Sequence, residues 1–148
     1  MKNGYKFLFP LALVLVFLLD RVFKVLVMKG LHFSGEFFSL VMVYNTGAAF
    51  GLMQGQRIFL IAFSFLAILI IGYYVLTRHS TFNLCQLLGL GMLCGGTAGN
   101  LFDRVGYGYV IDFIKLNFID FPVFNVADMF INIGVALVII GLLKKQHQ

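Results

Sequence analysis

From Ile58 to Leu76 the chain carries no charge, and Arg57 and Arg78 stand at the two ends of the run. As a helix this stretch is about 28 Å long, close to the roughly 30 Å thickness of a bilayer's hydrocarbon core. Lipid offers no partner for backbone N–H and C=O groups, so a segment of this kind must be a helix. The remainder has the same character. Of 148 residues, 61% are hydrophobic and only 11% charged, with mean hydropathy +0.97. A soluble domain of this size has no way to bury so much apolar surface. The net charge of +5 does not point to nucleic acid, because the basic residues cluster at the ends of apolar runs, where they set orientation.

The periodic and uncharged stretches predict one integral membrane domain over 1–148, with spans at about 7–28, 58–76, 82–102 and 124–143. The first lacks a small-x-small cleavage site and runs on through Asp20, Arg21 and Lys24, so it reads as a span, not a leader. Asp20 and Lys24 are spaced for a helical i, i+4 ion pair, a brace. Residues 29–56 are too polar and glycine-rich to cross. Within them Phe37 to Tyr44 reads as a strand, and Asn45-Thr-Gly-Ala-Ala-Phe50-Gly51 as a turn of small residues. Asn45 fits turn chemistry there, with a substrate-facing amide as the sharper alternative.

In the third span Gly91, Gly95 and Gly99 recur every fourth residue, with Gly96 beside them, a stripe on which another helix can lie close. Asn100 and Arg104 share a face at its far end, and Asp103 is one turn from Asn100. Gly106 and Gly108 mark a turn, Val110 to Leu116 an extended segment, and Pro122 the break before the fourth span, which Lys144 and Lys145 close. Asn125 and Asp128 have capping-box spacing, which accounts for both without chemistry. Cys85 and Cys94 read as inert thiols, and His32, His79 and His147 are too scattered for a metal site. Ser64 is mid-span and Lys24 near one surface, so they do not form a Ser–Lys dyad.

Four spans put both termini and the 77–81 connection on one side, with Lys2, Lys6, Arg78, Lys144 and Lys145 and no acid; the positive-inside rule makes it cytoplasmic. Asp20, Lys24, Asn100, Asp103, Arg104, Asp112, Asn125 and Asp128 then gather at the outer leaflet. A charged group at this depth is expensive and marks function. Without a histidine or a metal cluster, acid–base work falls to carboxylates. Asp112 and Asp128, held close enough to share a proton, suit amide hydrolysis. A proton relay would distribute such groups through the bilayer, and an assembly subunit would use them for packing only.

The blocks Asp20-x-x-x-Lys24, Asn45-x-Gly-Ala-Ala-Phe50, Gly95-Gly-x-x-Gly99-Asn100-x-x-Asp103-Arg104, Val110-Ile-Asp112-Phe113 and Phe124-Asn125-x-Ala-Asp128 occur in order along nearly the whole chain. In this the sequence resembles the bacterial lipoprotein signal peptidases, the type II signal peptidases. Met129 is bulkier than the small residue that the resemblance leads one to expect. The resemblance implies an aspartic endopeptidase that cuts the signal peptide from a prolipoprotein just before a diacylglyceryl-bearing cysteine. Asp112 and Asp128 would be catalytic; Asn45, Asn100, Arg104 and Asn125 would line the substrate site, and Asp20, Lys24, Asp103 and Gly99 would support it. It further implies four transmembrane helices, a small periplasmic β-sheet and a short interfacial helix, with a helical reading near the third-to-fourth connection. No metal or cofactor is implied. Globomycin-type cyclic peptides would be inhibitors, and the active site would sit at the outer face of the cytoplasmic (inner) membrane.

Overall fold

Helix α1 (Leu8–Met28) is the first element of a computed structural model that describes residues 7–48 and 52–146. Lys2, Lys6, His147 and the Ala49–Gly51 end of the small-residue turn lie outside the described residues. Pro10 is accommodated in the first turn of α1, where its missing N–H would have no helical partner. The helix stops at Gly30, whose φ of +98° reverses the chain so that Gly30 N donates to Val27 O and Leu31 N to Leu26 O.

The chain then forms β1 (Phe33–Ser34) and β2 (Phe38–Asn45), crosses in α2 (Arg57–Arg78), and turns through a short 3-10 segment (His79–Thr81). Helix α3 (Leu84–Gly106), strand β3 (Val110–Leu116) and helix α4 (Val126–Gln146) complete it. Asn83 starts α3 through a capping box with Gln86 and donates to Gly141 O of α4 at 2.7 Å. The 110–116 connection is a strand, which corrects the helical reading drawn from the resemblance and agrees with the alternation of its residues. Among the described residues the only helix outside the four long ones is the 3-10 turn, at the opposite end of the bundle from β3.

Helix α3 is the central post because glycines open both its flanks. A Cβ at Gly91 or Gly95 would lie 2.5 Å from the Phe9 or Leu13 carbonyl oxygen of α1. One at Gly96 would lie 2.5 Å from the Ala127 carbonyl oxygen of α4, and Gly89 and Gly134 face each other across the same pair. Side chains there would push the helices apart. Cys94 is fully buried in this packing, and neither cysteine is disulfide-bonded. Three described helices are long and apolar enough to cross a membrane: α2, α3 and Val126–Lys144 of α4. Helix α1 has the length but carries Asp20, Arg21 and Lys24. Its outward positions, such as Leu11, Leu15, Leu18 and Val22, are exposed and apolar, a surface for lipid.

The strands form one antiparallel sheet in the order β1-β2-β3. Leu40 pairs with Ile114 but Val43 with Asp112, so β2 holds one extra residue between those pairs, a bulge. A one-residue shift moves every later side chain to the other face. Because of it Asn45 shares a face with Asp112. Beyond β3 the chain doubles back: Phe124 and Ile114 bridge through bonds of 2.7 and 3.1 Å. That return sets the first turn of α4 beside β3.

Candidate active site

The base of the site is a cluster of charges between α1 and α3. Lys24 Nζ lies 2.9 Å from Asp20 Oδ2 and 2.6 Å from Asp103 Oδ2, all three side chains being fully buried. It also donates to Asn100 Oδ1 at 3.0 Å. The i, i+4 pair expected on α1 is thus one edge of a larger network. Asp20 can enter because Gly99 faces it: a Cβ there would lie 2.5 Å from Asp20 Oδ2.

Asp112 is on β3, only 2% exposed. Asn125 Nδ2 donates to its Oδ1 at 2.6 Å, and Asn45 Nδ2 to its Oδ2 at 2.9 Å. Asp128 is in the first turn of α4, where Oδ1 accepts from Asn100 Nδ2 at 2.8 Å and Oδ2 from Asn125 N at 3.2 Å. Asp128 N in turn donates to Asn125 Oδ1 at 2.9 Å. The capping box is therefore real, yet it does not exclude chemistry, because the same fully buried Asn125 reaches both carboxylates. Burial, and behind it the negative charge of Asp128, pushes the Asp112 carboxyl up from 3.8 to about 6, against the pull of Asn45, Asn125 and Lys24.

Arg104 closes another side. Its Nη2 donates to Gly47 O at 2.8 Å, and Gly47 N donates to Asn45 Oδ1 at 2.9 Å, an Asx turn that ties the loop after β2 to α3. Its Nε is buried without a hydrogen-bond partner among the described residues. Arg104 makes its side-chain hydrogen bond to the loop and not to Asp103. Asp103 is held instead by Lys24 and by Arg21, whose Nη2 is 2.7 Å from Asp103 Oδ1 and 3.1 Å from Asp20 Oδ2.

Arg21 and Arg57 are the residues that sequence reasoning passed over. A third charge inside α1 was the available signal for Arg21, since a buried ion needs a counter-ion. Arg57 reads as a flank of the second span, but its Nε donates to Arg104 O at 2.8 Å and its Nη2 to Val105 O at 3.1 Å. It thereby caps the C-terminal end of α3. Met129 is 42% exposed, so its bulk meets no wall. Among the described residues no group of three His, Cys, Asp or Glu side chains is arranged to hold a metal ion.

A helix bundle of membrane-crossing length, with a buried carboxylate-bearing polar cluster where a small sheet meets the helices, has the architecture of a membrane enzyme. Two solved structures described as a bacterial membrane enzyme by the in meso method, at 2.3 and 1.9 Å resolution, superpose on it. Their TM-scores are 0.83 and 0.79, with 33% identity in each case, covering 92% and 90% of this chain and 87% and 91% of theirs. Residues 12–144 match the family described as Signal peptidase (SPase) II. Lipoprotein signal peptidases of Streptococcus pyogenes serotypes M6 and M5 are each 37% identical over 149 aligned positions, covering 95% of this chain and 96% of the relative. The chain belongs to the signal peptidase II family and is a multi-pass membrane protease.

Proposed function

We propose that this chain removes the signal peptide from prolipoproteins, cutting just before a diacylglyceryl-modified cysteine, with Asp112 and Asp128 as the catalytic pair. The carrying observation is that Asn125 holds one carboxylate through its side-chain amide and the other through its backbone N–H. Two acids so placed share one proton. The ionised partner takes a proton from water as the oxygen attacks the scissile carbonyl carbon. The protonated partner gives its proton to the departing amide nitrogen as the C–N bond breaks. Asn45 and Asn100 hold the carboxylates in register, and Arg104, whose Nε has no partner among the described residues, supplies a donor for a substrate carbonyl.

Four spans support this chemistry at the outer face of the cytoplasmic (inner) membrane, with both termini cytoplasmic. The charges that set α1 apart from the other spans are neutralised within the fold, which removes the main penalty for embedding it. At 1.5 Å per residue Asp20 then lies about 12 Å from the outer end of α1. There the acyl chains of substrate remain in lipid while water reaches the acids. A cyclic peptide of the globomycin type would inhibit by occupying the same groups.

The test is cleavage of a diacylglyceryl-modified precursor by the purified protein in detergent. Asp112→Asn and Asp128→Asn are each expected to abolish cleavage while the protein stays folded. Cleavage retained by either variant overturns the assignment.

A further inference from the structure

Each carboxylate of the proposed pair follows a residue whose backbone N–H is held by an acid from elsewhere in the fold. Ile111 N donates to Asp103 Oδ2 at 3.2 Å, and Ala127 N donates to Asp20 Oδ1 at 3.1 Å. The strand bearing Asp112 thus hangs on Asp103, and the helix start bearing Asp128 hangs on Asp20. What lies between those two acids therefore sets how the pair is spaced.

Lys24 bridges them but is fully committed: its ammonium meets Asp20, Asp103 and the Asn100 oxygen. Two buried carboxylates and one lysine leave a negative charge over, and an uncompensated buried charge is strongly destabilising. Arg21 supplies the missing cation. Its Nη2 bridges the same acids at 3.1 and 2.7 Å, its side chain is 14% exposed, and its guanidinium carbon lies 4.8 Å from the centre of the Phe102 ring. The ring and the acids together fix the cation in place.

We infer that Arg21 is a positioning residue for cleavage: it balances the buried clamp of Asp20, Lys24 and Asp103, and that clamp holds the backbone immediately before Asp112 and Asp128. The inference rests on the assignment of Asp112 and Asp128 as the catalytic pair. Arg21 acts on the reaction through Asp20 and Asp103, so its loss is expected in turnover and not in substrate affinity.

The experiment measures kcat and KM of the full chain in detergent on a diacylglyceryl-modified precursor peptide, with thermal melting as the check on folding. Arg21→Met keeps the stem without the charge and is expected to lower kcat by about 30-fold or more with KM within about threefold, the scale of a small misplacement of reacting groups. Arg21→Lys restores the charge but not the planar fork that bridges two acids and lies on Phe102, so it is expected to recover part of the loss, about fivefold or more over Arg21→Met, without reaching the unaltered protein. The double variant Arg21→Met/Asp103→Asn removes one charge of each sign and leaves an oxygen to accept from Ile111 N. It is expected to recover about tenfold over Arg21→Met, because the two changes compensate where independent ones would add.

Unchanged kcat in Arg21→Met overturns the inference, as does Arg21→Lys being as impaired as Arg21→Met. So does a double variant no better than Arg21→Met in folding or turnover. Asp112→Asn and Asp128→Asn measured alongside keep the two failures apart. Cleavage by either sinks the pair itself, whereas two inactive variants beside a fully active Arg21→Met sink only the role of Arg21.

Discussion

Asn125 caps a helix with its side-chain oxygen and donates with its amide, and a pair of substitutions can separate the cap from the amide. Its side-chain oxygen caps α4 by accepting from Asp128 N at 2.9 Å, and its Nδ2 donates to Asp112 Oδ1 at 2.6 Å. Serine is as good an N-cap as asparagine but has no amide to reach Asp112, Asn100 Oδ1 or Ile111 O, so Asn125→Ser removes the amide contacts and keeps the cap, and Asn125→Ala removes both. A hydrogen bond to an ionised carboxylate contributes about 1.5–3 kcal/mol. At about 1.4 kcal/mol per pH unit, losing it raises the Asp112 carboxyl by about one to two pH units above its value near 6. The sign follows from the donor favouring the charged form, which its loss disfavours. Both variants are therefore expected to move the Asp112-governed limb of the pH–rate profile toward higher pH by that amount. Asn125→Ala alone is expected to lose about 1 kcal/mol of further stability from the missing cap. The assay is precursor cleavage in detergent from pH 4 to 9, with thermal melting in parallel. A folded Asn125→Ser whose limb coincides with that of the unaltered protein refutes the reasoning.

Other perturbations probe the packing and the buried acid. Gly95→Ala sets a methyl 2.5 Å from the Leu13 carbonyl oxygen and is expected to destabilise by about 1–3 kcal/mol. Gly72→Ala meets nothing within 4 Å in α2 and is expected to stabilise by up to about 1 kcal/mol. Melting temperatures in detergent check both. Because the folded-state value of Asp112 is raised to about 6, its contribution to stability is fully present below about 4 and is lost as pH rises through 6. The unaltered protein is accordingly expected to gain melting temperature from pH 7 to pH 4.5 and Asp112→Asn to flatten that rise, and parallel curves would contradict this. Arg57→Ala removes donors to Arg104 O and Val105 O and is expected to cost about 1 kcal/mol of stability, read by chemical denaturation, while leaving KM within about threefold.

The residues that could be read before the structure are those whose surroundings are local. The glycine stripe at 91, 95 and 99 is a period on one helix, and it meets α1 as that period implies. Asn125 and Asp128 are close in sequence, and their capping box forms. The strand expected at 37–44 is β2, Phe38–Asn45. What escaped was non-local. Arg21 is one of several charges near a membrane surface until Asp103 arrives from another helix. Nothing in the alternation of β2 announces the extra residue between Leu40 and Val43, because a bulge depends on the partner strand.

Sequence by itself determined that this chain lives in lipid and that its apolar runs are helices, since backbone polar groups without water must bond within their own segment. It also singled out the acids as candidates, because a carboxylate beside so much hydrocarbon is expensive to keep. Tertiary structure alone decided how those acids meet. Asp20 reaches the backbone of Ala127 across a separation of 107 positions, and Asn45 reaches Asp112 across 67. Contacts of that range are set by which helix flank is bare of side chains and by where a strand gains a residue, and neither is written in any one segment.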